Sequence, residues 1–462
     1  MLNILYLHQG SGFSLYRKRW LILLCALLNN GCLWLGSEYR KPHVNTPQKW
    51  PHKYSIQTEQ AAYLPDLHWW KQFNSKELNA SIQKALQNNH QIHLAMANIE
   101  SAQGQLQQVQ LSWLPNLTGL AGYTQFPVLG NPGTTAIAYP AYIINIFQQY
   151  KQQKSAQAML EASIYAQYSA RLVVIAQTAA SFFTLVAQNE ALHLYNKLLK
   201  DYRTYLKLTQ SQYRSGLISL DNITQIKSHI QRIEAQIKVV QHNIVVTKNA
   251  LHFLFNENPG DVETKTLFEN IDSNQLVPGN LPASVLRVRP DIHEAEALLK
   301  AAHADVGAIT ANLLPGINLG AYLGEGSNVD GAIKLGQAYL NGPIIDLPLF
   351  AQVDVSKARY KAIYIKYITT IRKALRDVAN DLSAYSTSSQ QLNNNLSALS
   401  DEKQQCHLAE VRYRHGIDDY LNLIKCQILL DEFKLVINQN KLEKLLSIVT
   451  LYQDLGGGYR GH

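Results

Sequence analysis

The sequence predicts a mainly α-helical chain built as a tandem duplication, with a pair of membrane-length β-strands inserted between long helices in each half. Three observations point there. Matching motifs recur at a fixed offset of 200 residues. Two stretches of about sixty residues contain neither proline nor glycine. Two pairs of short alternating segments occupy equivalent places in the halves, as strands joined by a loop do.

The N-terminus comes first. Arg17, Lys18 and Arg19 precede an apolar run from Trp20 to Leu28, then Asn29-Asn30-Gly31-Cys32. A basic region, a short apolar region and a small residue before a cysteine predict a secretory leader over 1–31. Nine apolar residues are too few to span a bilayer of about 30 Å as a helix. Gly31-Cys32 is similar to a bacterial lipobox, which makes Cys32 the acylated first residue of the mature chain. Asn29 departs from the usual small or branched residue there, as in a plain cleaved leader with a chance cysteine. Leu33 and Trp34 follow instead of the aspartate that retains lipoproteins in the inner membrane, which points the anchor to outer-membrane lipid.

Composition narrows the classes. The chain has 462 residues, of which 16% are charged, against about 25% in average soluble proteins. At 46% apolar it is not a disordered chain. The net charge is +8, and without the Arg17–Arg19 cluster it falls to +5, spread thinly. Nucleic-acid binders concentrate charge in a patch or stripe, so no nucleic-acid partner is expected. Four cysteines (Cys25, Cys32, Cys406, Cys426) lack C-x-x-C spacing, which excludes a disulfide-rich scaffold and a cysteine-rich zinc site. Twenty-five tyrosines against 6 tryptophans hint at interfaces or a membrane rim. Past the leader no run of 18 apolar residues occurs, so a membrane-spanning part would be a β-barrel.

The duplication is read from three motif pairs: Ile92-His93 with Ile292-His293, Leu114-Pro115 with Leu314-Pro315, and Tyr213-Arg214-Ser215-Gly216 with Tyr413-Arg414-His415-Gly416. Asn222 and Asn422 keep the register. An extended segment covers 32–72, a first repeat 73–257, a linker 258–282, a second repeat 283–455 and a tail 456–462.

Each repeat has the same internal order. Helices are expected over 75–112 and 288–312, each ending at Leu-Pro, where proline cannot continue a helix. Strands follow over Asn116–Phe126 and Tyr139–Phe147, then over Gly316–Gly324 and Ala338–Phe350. About 9–11 tilted residues suffice to cross a bilayer. Long helices come next, over 149–212 and 352–412; sixty residues at 1.5 Å each make a rod of about 90 Å. A Tyr-Arg-x-Gly turn reverses the chain into a returning helix. There Ile223, Ile226, Ile230, Ile233, Ile237, Val240 and Ile244 make a coiled-coil seam, extended by Leu251 and Leu254 and interrupted at Thr247. In the second repeat the seam runs Leu423, Cys426, Leu430, Phe433, Ile437, and re-registers at Leu442, Leu445, Val449 and Tyr452.

Four strands cannot close a barrel alone, and open edges are not tolerated in lipid. Three chains supply twelve strands, within the range of outer-membrane barrels, and this favours a homotrimer with the helices continuing as a tube. A coiled-coil tether leaves the embedded strand pairs unexplained.

Several motifs, in order, carry a family resemblance. They are Trp69-Trp70-x-x-Phe73, Arg289-Pro290-Asp291-Ile292 with Ala295-Glu296, Leu347-Pro348-Leu349-Phe350, Tyr413-Arg414-x-Gly416 with Tyr420-Leu421, and Leu455-Gly456-Gly457-Gly458-Tyr459. The chain resembles the outer-membrane factors, the TolC-like exit ducts, and among them the lipoprotein ducts of resistance–nodulation–division drug pumps. The resemblance implies a trimer with a twelve-stranded outer-membrane barrel and a periplasmic helical barrel. It also implies a periplasmic adaptor protein that joins the helical tips to an inner-membrane efflux pump. A protein-secretion duct is the alternative within the family; the lipobox-like start and the Leu-Gly-Gly-Gly ending favour small-molecule efflux.

No catalytic motif of the P-loop, G-x-S-x-G or H-E-x-x-H kind occurs, and neither an enzyme nor a cofactor is expected. His90 and His93 are three apart on a helix but lack a third ligand, so no metal site is assigned. The candidate functional residues lie at the tips. Gly216 and Gly416 let the backbone reverse, and Tyr213, Arg214, Tyr413 and Arg414 combine helix-end capping with exposed interface anchors. By resemblance, the helix after the second tip carries a periplasmic gate of Leu, then Asp four residues on, then Arg three further. Here these positions are Leu421, Lys425 and Ile428, so the acid–base pair is missing. Three symmetry-related Lys425 side chains at a narrow mouth would repel one another and favour anions. Alternatively Lys425 points away and pairs with an acid of another helix or a tip, such as Asp221, because its own helix offers none at three or four residues.

Overall fold

In the computed structural model the described residues are 38–45, 68–124, 133–271, 288–327 and 332–457. Cys32, the leader and the segments 125–132 and 328–331 between paired strands lie outside them. The elements are α1 (Lys76–Asn88), α2 (His90–Leu111), β1 (Asn116–Thr124), β2 (Gly133–Ile144), α3 (Ile146–Arg214), α4 (Leu220–Leu254), α5 (Pro290–Ala311), β3 (Gly316–Gly326), β4 (Ile333–Asn341), α6 (Leu347–Arg414) and α7 (Tyr420–Asp454). They form two compact units, residues 1–43, 100–162 and 295–367 in one and 44–99, 163–294 and 368–462 in the other.

The first unit holds the sheet, antiparallel throughout, in the order β1-β2-β3-β4. Tyr139 stacks on Tyr322 across β2 and β3 at 4.8 Å. The β2–β3 register skips Tyr139 and Pro140, where proline has no N–H to give the ladder. The outer sides of β1 and β4 have no partner strand among the described residues. Leu117, Leu120, Ile143, Leu335 and Leu340 are exposed on these strands.

β2 and β4 begin earlier than expected and also stop earlier, and the helix caps that follow them account for the early stops. Asn145 accepts from Gln148 N at 3.1 Å, so α3 begins at Ile146, and β2 occupies 133–144 instead of 139–147. Asp346 accepts from Leu349 N at 3.0 Å, which places Leu347-Pro348-Leu349-Phe350 in the first turn of α6. Proline fits there because that turn has no N–H partner to lose. The strand expected over 338–350 is therefore β4, 333–341. The helix expected over 75–112 is two. Buried Asn89 breaks it, accepting from Gln91 N at 2.9 Å and donating to Leu254 O at 3.0 Å.

The second unit holds the aromatic core. Trp69-Trp70-x-x-Phe73 forms a single 3-10 turn, its three rings buried. Trp69 lies flat on Tyr452 at 4.9 Å, and Phe73 meets Phe183 edge-on at 4.8 Å. Glu77 fastens the start of the linker, accepting from Thr264 Oγ1 at 2.6 Å, Thr266 Oγ1 at 2.7 Å and Lys265 N at 3.0 Å.

The α4 seam is buried as its spacing predicts except at half-buried Ile230, and Thr247 continues it. Its hydroxyl donates to Asn243 O at 2.9 Å and lies 3.0 Å from Gln188 Oε1. The α7 seam differs: Ile424, Ile428, Asp431 and Asn438 are buried, whereas Leu430, Phe433 and Ile437 are half-buried. Asp431, fully buried, is paired with Lys197 at 2.8 Å and Lys434 at 3.0 Å. Asn438 donates to Ala187 O at 2.9 Å. Ile424 and Ile428 pack with Leu198, Tyr202, Ile226, Ile233 and Ile237, joining the two repeats.

Two motifs read separately in the sequence meet here. Arg289 forks onto Asp291, Nε to Oδ1 at 3.0 Å and Nη2 to Oδ2 at 2.8 Å, and donates to Asp454 O. Gly456 and Gly457, with φ of +83° and +59°, close α7 against it. A Cβ on Gly456 would stand 3.3 Å from Arg289 Cα.

Candidate functional site

Each tip is a left-handed glycine closing one helix and a short turn opening the next. Gly216 and Gly416 have φ of +71° and +69°. At the first tip Gly216 N donates to Tyr213 O at 2.9 Å and Leu217 N to Gln212 O at 3.0 Å. At the second, Gly416 N donates to Tyr413 O at 3.0 Å and Ile417 N to Arg412 O at 2.9 Å. These two-bond closures satisfy the last carbonyls of α3 and α6. Arg214 and Arg414 place cations where those helix dipoles are negative.

The tips present similar surfaces but different scaffolding. Leu217 and Ile417 project with 73% and 75% exposure, flanked by Tyr213 and Tyr413 at 42% and 40%. Tyr413 also contacts Tyr420, ring centres 5.2 Å apart. At the second tip Arg414 pairs with Glu410, and Arg412 lies 3.5 Å from Asp418. Asp419 caps α7, accepting from Asn422 N at 3.0 Å. The Asn422 amide, 2.6 Å from Asp418, is the chief cause holding that carboxyl below its ordinary range.

The glycines give a signed prediction. Gly416→Ala is expected to cost about 1 kcal/mol, because nothing lies near the added Cβ and the penalty is backbone strain alone. Gly104→Ala, in α2 with equally open space, is expected to stabilise by about 0.5–1 kcal/mol. Denaturant midpoints of the two variants check the opposite signs.

The three gate positions separate. Leu421 is half-buried. Lys425 is exposed, its Nζ 5.8 Å from the centre of the Tyr205 ring on α3. Asp221, the partner considered from sequence, instead accepts from Gln225 at 2.9 Å. Ile428, expected at the gate, is only 6% exposed, its side chain taken up by the packing between the repeats. Cys406 and Cys426, excluded from a disulfide framework by their spacing, form a disulfide with Cα atoms 5.5 Å apart. The available signal was positional: each lies ten residues from Gly416, one on either side. His90 and His93 are exposed, and no cluster of three metal-ligating side chains occurs among the described residues.

A family model described as outer membrane efflux protein matches residues 81–257 and again 281–457. The chain belongs to the outer membrane efflux protein family. The two matches are themselves 200 residues apart, as the motif pairs are. The toluene efflux pump outer membrane protein TtgC of Pseudomonas putida is 29% identical over 463 residues, 95% of either chain. The probable outer membrane lipoprotein SilC of Salmonella typhimurium is 24% identical, over 93% of this chain and 96% of its own. The outer-membrane channel OprN superposes with a TM-score of 0.80 at 21% identity, covering 92% of this chain and 99% of that one, and so shares the fold. The protein is an outer-membrane efflux duct, a conduit and not an enzyme.

Proposed function

We propose that three copies of this chain form the exit duct of a tripartite efflux pump, passing small molecules from a periplasmic pump–adaptor assembly to the outside. The observation that carries this is the open sheet: strands of 9 to 12 residues with both outer edges unpaired among the described residues. Such edges survive in lipid only when closed, and β4 of one copy beside β1 of the next closes a twelve-stranded ring. Acylation of Cys32 would hold each copy at the outer membrane, a reading supported by the lipoprotein description of SilC. Tyr213, Arg214 and Gly216, with Tyr413, Arg414 and Gly416, offer the adaptor two similar exposed turns. The duct is passive and takes its cargo from its pump; a toluene efflux protein and the cation efflux protein CusC stand among its relatives.

At the periplasmic mouth the proposed charge is Lys425, with no carboxylate three or four residues away on its own helix and resting near Tyr205. The purified protein is expected to run as a trimer and carry a steady current in a planar bilayer. Lys425→Asp, three charge reversals per trimer, is expected to abolish anion preference. An unchanged selectivity would keep the duct and remove Lys425 from the mouth; absence of both trimers and current would reject the duct.

A further inference from the structure

The two repeats treat their tips differently at equivalent positions. Cys406 and Cys426 correspond, at the 200-residue offset, to Leu206 and Ile226. Ile226 is buried and Leu206 packs against the same apolar cluster, so the first hairpin is held at this level by ordinary packing. In the second repeat the same level is covalent, with Cys406 8% exposed. The Arg412–Asp418 pair and the Asp419 cap also belong to the second tip alone: the matching first-repeat residues are Gln212, Ile218 and Ser219, none of them charged. Ser219 makes no side-chain cap to α4.

We infer that Cys406 and Cys426 are a disulfide-exchange site, oxidised after export, whose product staples the α6–α7 tip into one moving body and leaves the α3–α4 tip pliable. The inference rests on the outer-membrane placement, since exported chains meet a disulfide-forming compartment. The co-reactant is a protein or small-molecule disulfide. The thiolate of one cysteine attacks that disulfide and expels one thiolate from it, giving a mixed disulfide. The second cysteine, as thiolate, attacks the sulfur of the first and expels the other half of the co-reactant. Two electrons and two protons leave the chain, and the co-reactant ends as two thiols. Cα atoms at 5.5 Å permit the bond without backbone movement. The closed loop spans the turn, so α6 and α7 cannot splay or slip by a helical turn there, whereas α3 and α4 carry no such restraint.

Alkylation and tip proteolysis on the intact trimer test this. In protein taken from the membrane fraction, Cys406 and Cys426 are expected to resist alkylation until a reductant is added. Reduction is expected to speed trypsin cleavage after Arg412 and Arg414 by about tenfold, with cleavage after Arg214 changed less than about twofold. The paired variant Cys406→Leu with Cys426→Ile copies the first repeat and is expected to form trimers whose cleavage ignores reductant. Free thiols in protein from the membrane fraction, or equal cleavage of oxidised and reduced second tips, would overturn the staple. Free thiols in a conducting trimer reject the staple alone, and a disulfide in a chain that never trimerises rejects the duct alone.

Discussion

Arg289→Ala is expected to destabilise the chain by about 3–5 kcal/mol, the typical cost of stranding the partners of a buried charge. Arg289 is 7% exposed and serves three groups: the Asp291 carboxylate, the Asp454 carbonyl and, at 3.5 Å, the Asp454 carboxylate. Burial opposes its charge, but hydrogen bonds and attraction from Asp291, with further attraction from Asp454 and Asp377, outweigh that and raise its pKa. Alanine would leave the final α7 carbonyl and a crowd of carboxylates without a donor. Arg289→Lys keeps the charge and loses the two-pronged bond, so an intermediate loss is expected. Thermal unfolding of the detergent-solubilised protein ranks the three. A melting temperature for Arg289→Ala within a degree or so of the parent would refute the account.

The second large effect is a pH dependence set by Asp381. Burial first, then the neighbouring carboxylates of Asp454 and Asp377, push its pKa from 3.8 up to about 8, against the attraction of Arg289. A hydrogen bond shared with the Asp454 carboxyl adds to this, because it holds only while one of the two keeps a proton. The folded state therefore binds this proton more tightly than the unfolded chain does. Its contribution is complete below pH 3.8 and is lost as the pH rises through about 8. Stability is expected to fall across that window. Asp381→Asn, which cannot ionise, should flatten the slope and exceed the parent above pH 8 by roughly 2 kcal/mol after allowance for solvent screening. Melting curves at several pH values decide; parallel slopes in parent and variant would show that other groups set the dependence.

The repeat architecture was legible because it rests on backbone chemistry. Proline at 115 and 315 ends helices, glycine at 216 and 416 turns the chain, and isoleucines three and four apart line one face of α4. The strand limits were less legible because Asn145 and Asp346 look like loop residues until each is seen accepting a helix N–H. The buried stripe of α7 was hidden for a related reason. Asp431 and Asn438 are of residue types usually left at the surface, and Lys197 and the Ala187 carbonyl, more than 230 residues away in sequence, join Lys434 in making their burial tolerable. The gate positions share one helix, and spacing along it does not show that Ile428 turns toward the first repeat or that Lys425 meets Tyr205 from it. The tip glycines came from local turn chemistry, whereas the disulfide depended on how two helices pair.

The stacking of Trp69 on Tyr452, and the closure of Asp454 and Gly456 onto Arg289, bear on how the polypeptide is made. Trp69, ahead of the first repeat, and Arg289, which opens the second, are completed only by the end of α7, which is synthesised after both. An emerging chain can wind its helices one by one, but it cannot finish this core until α7 has been made. Contacts so distant in sequence form slowly, so the polypeptide remains threadable through a narrow translocase until α7 has passed.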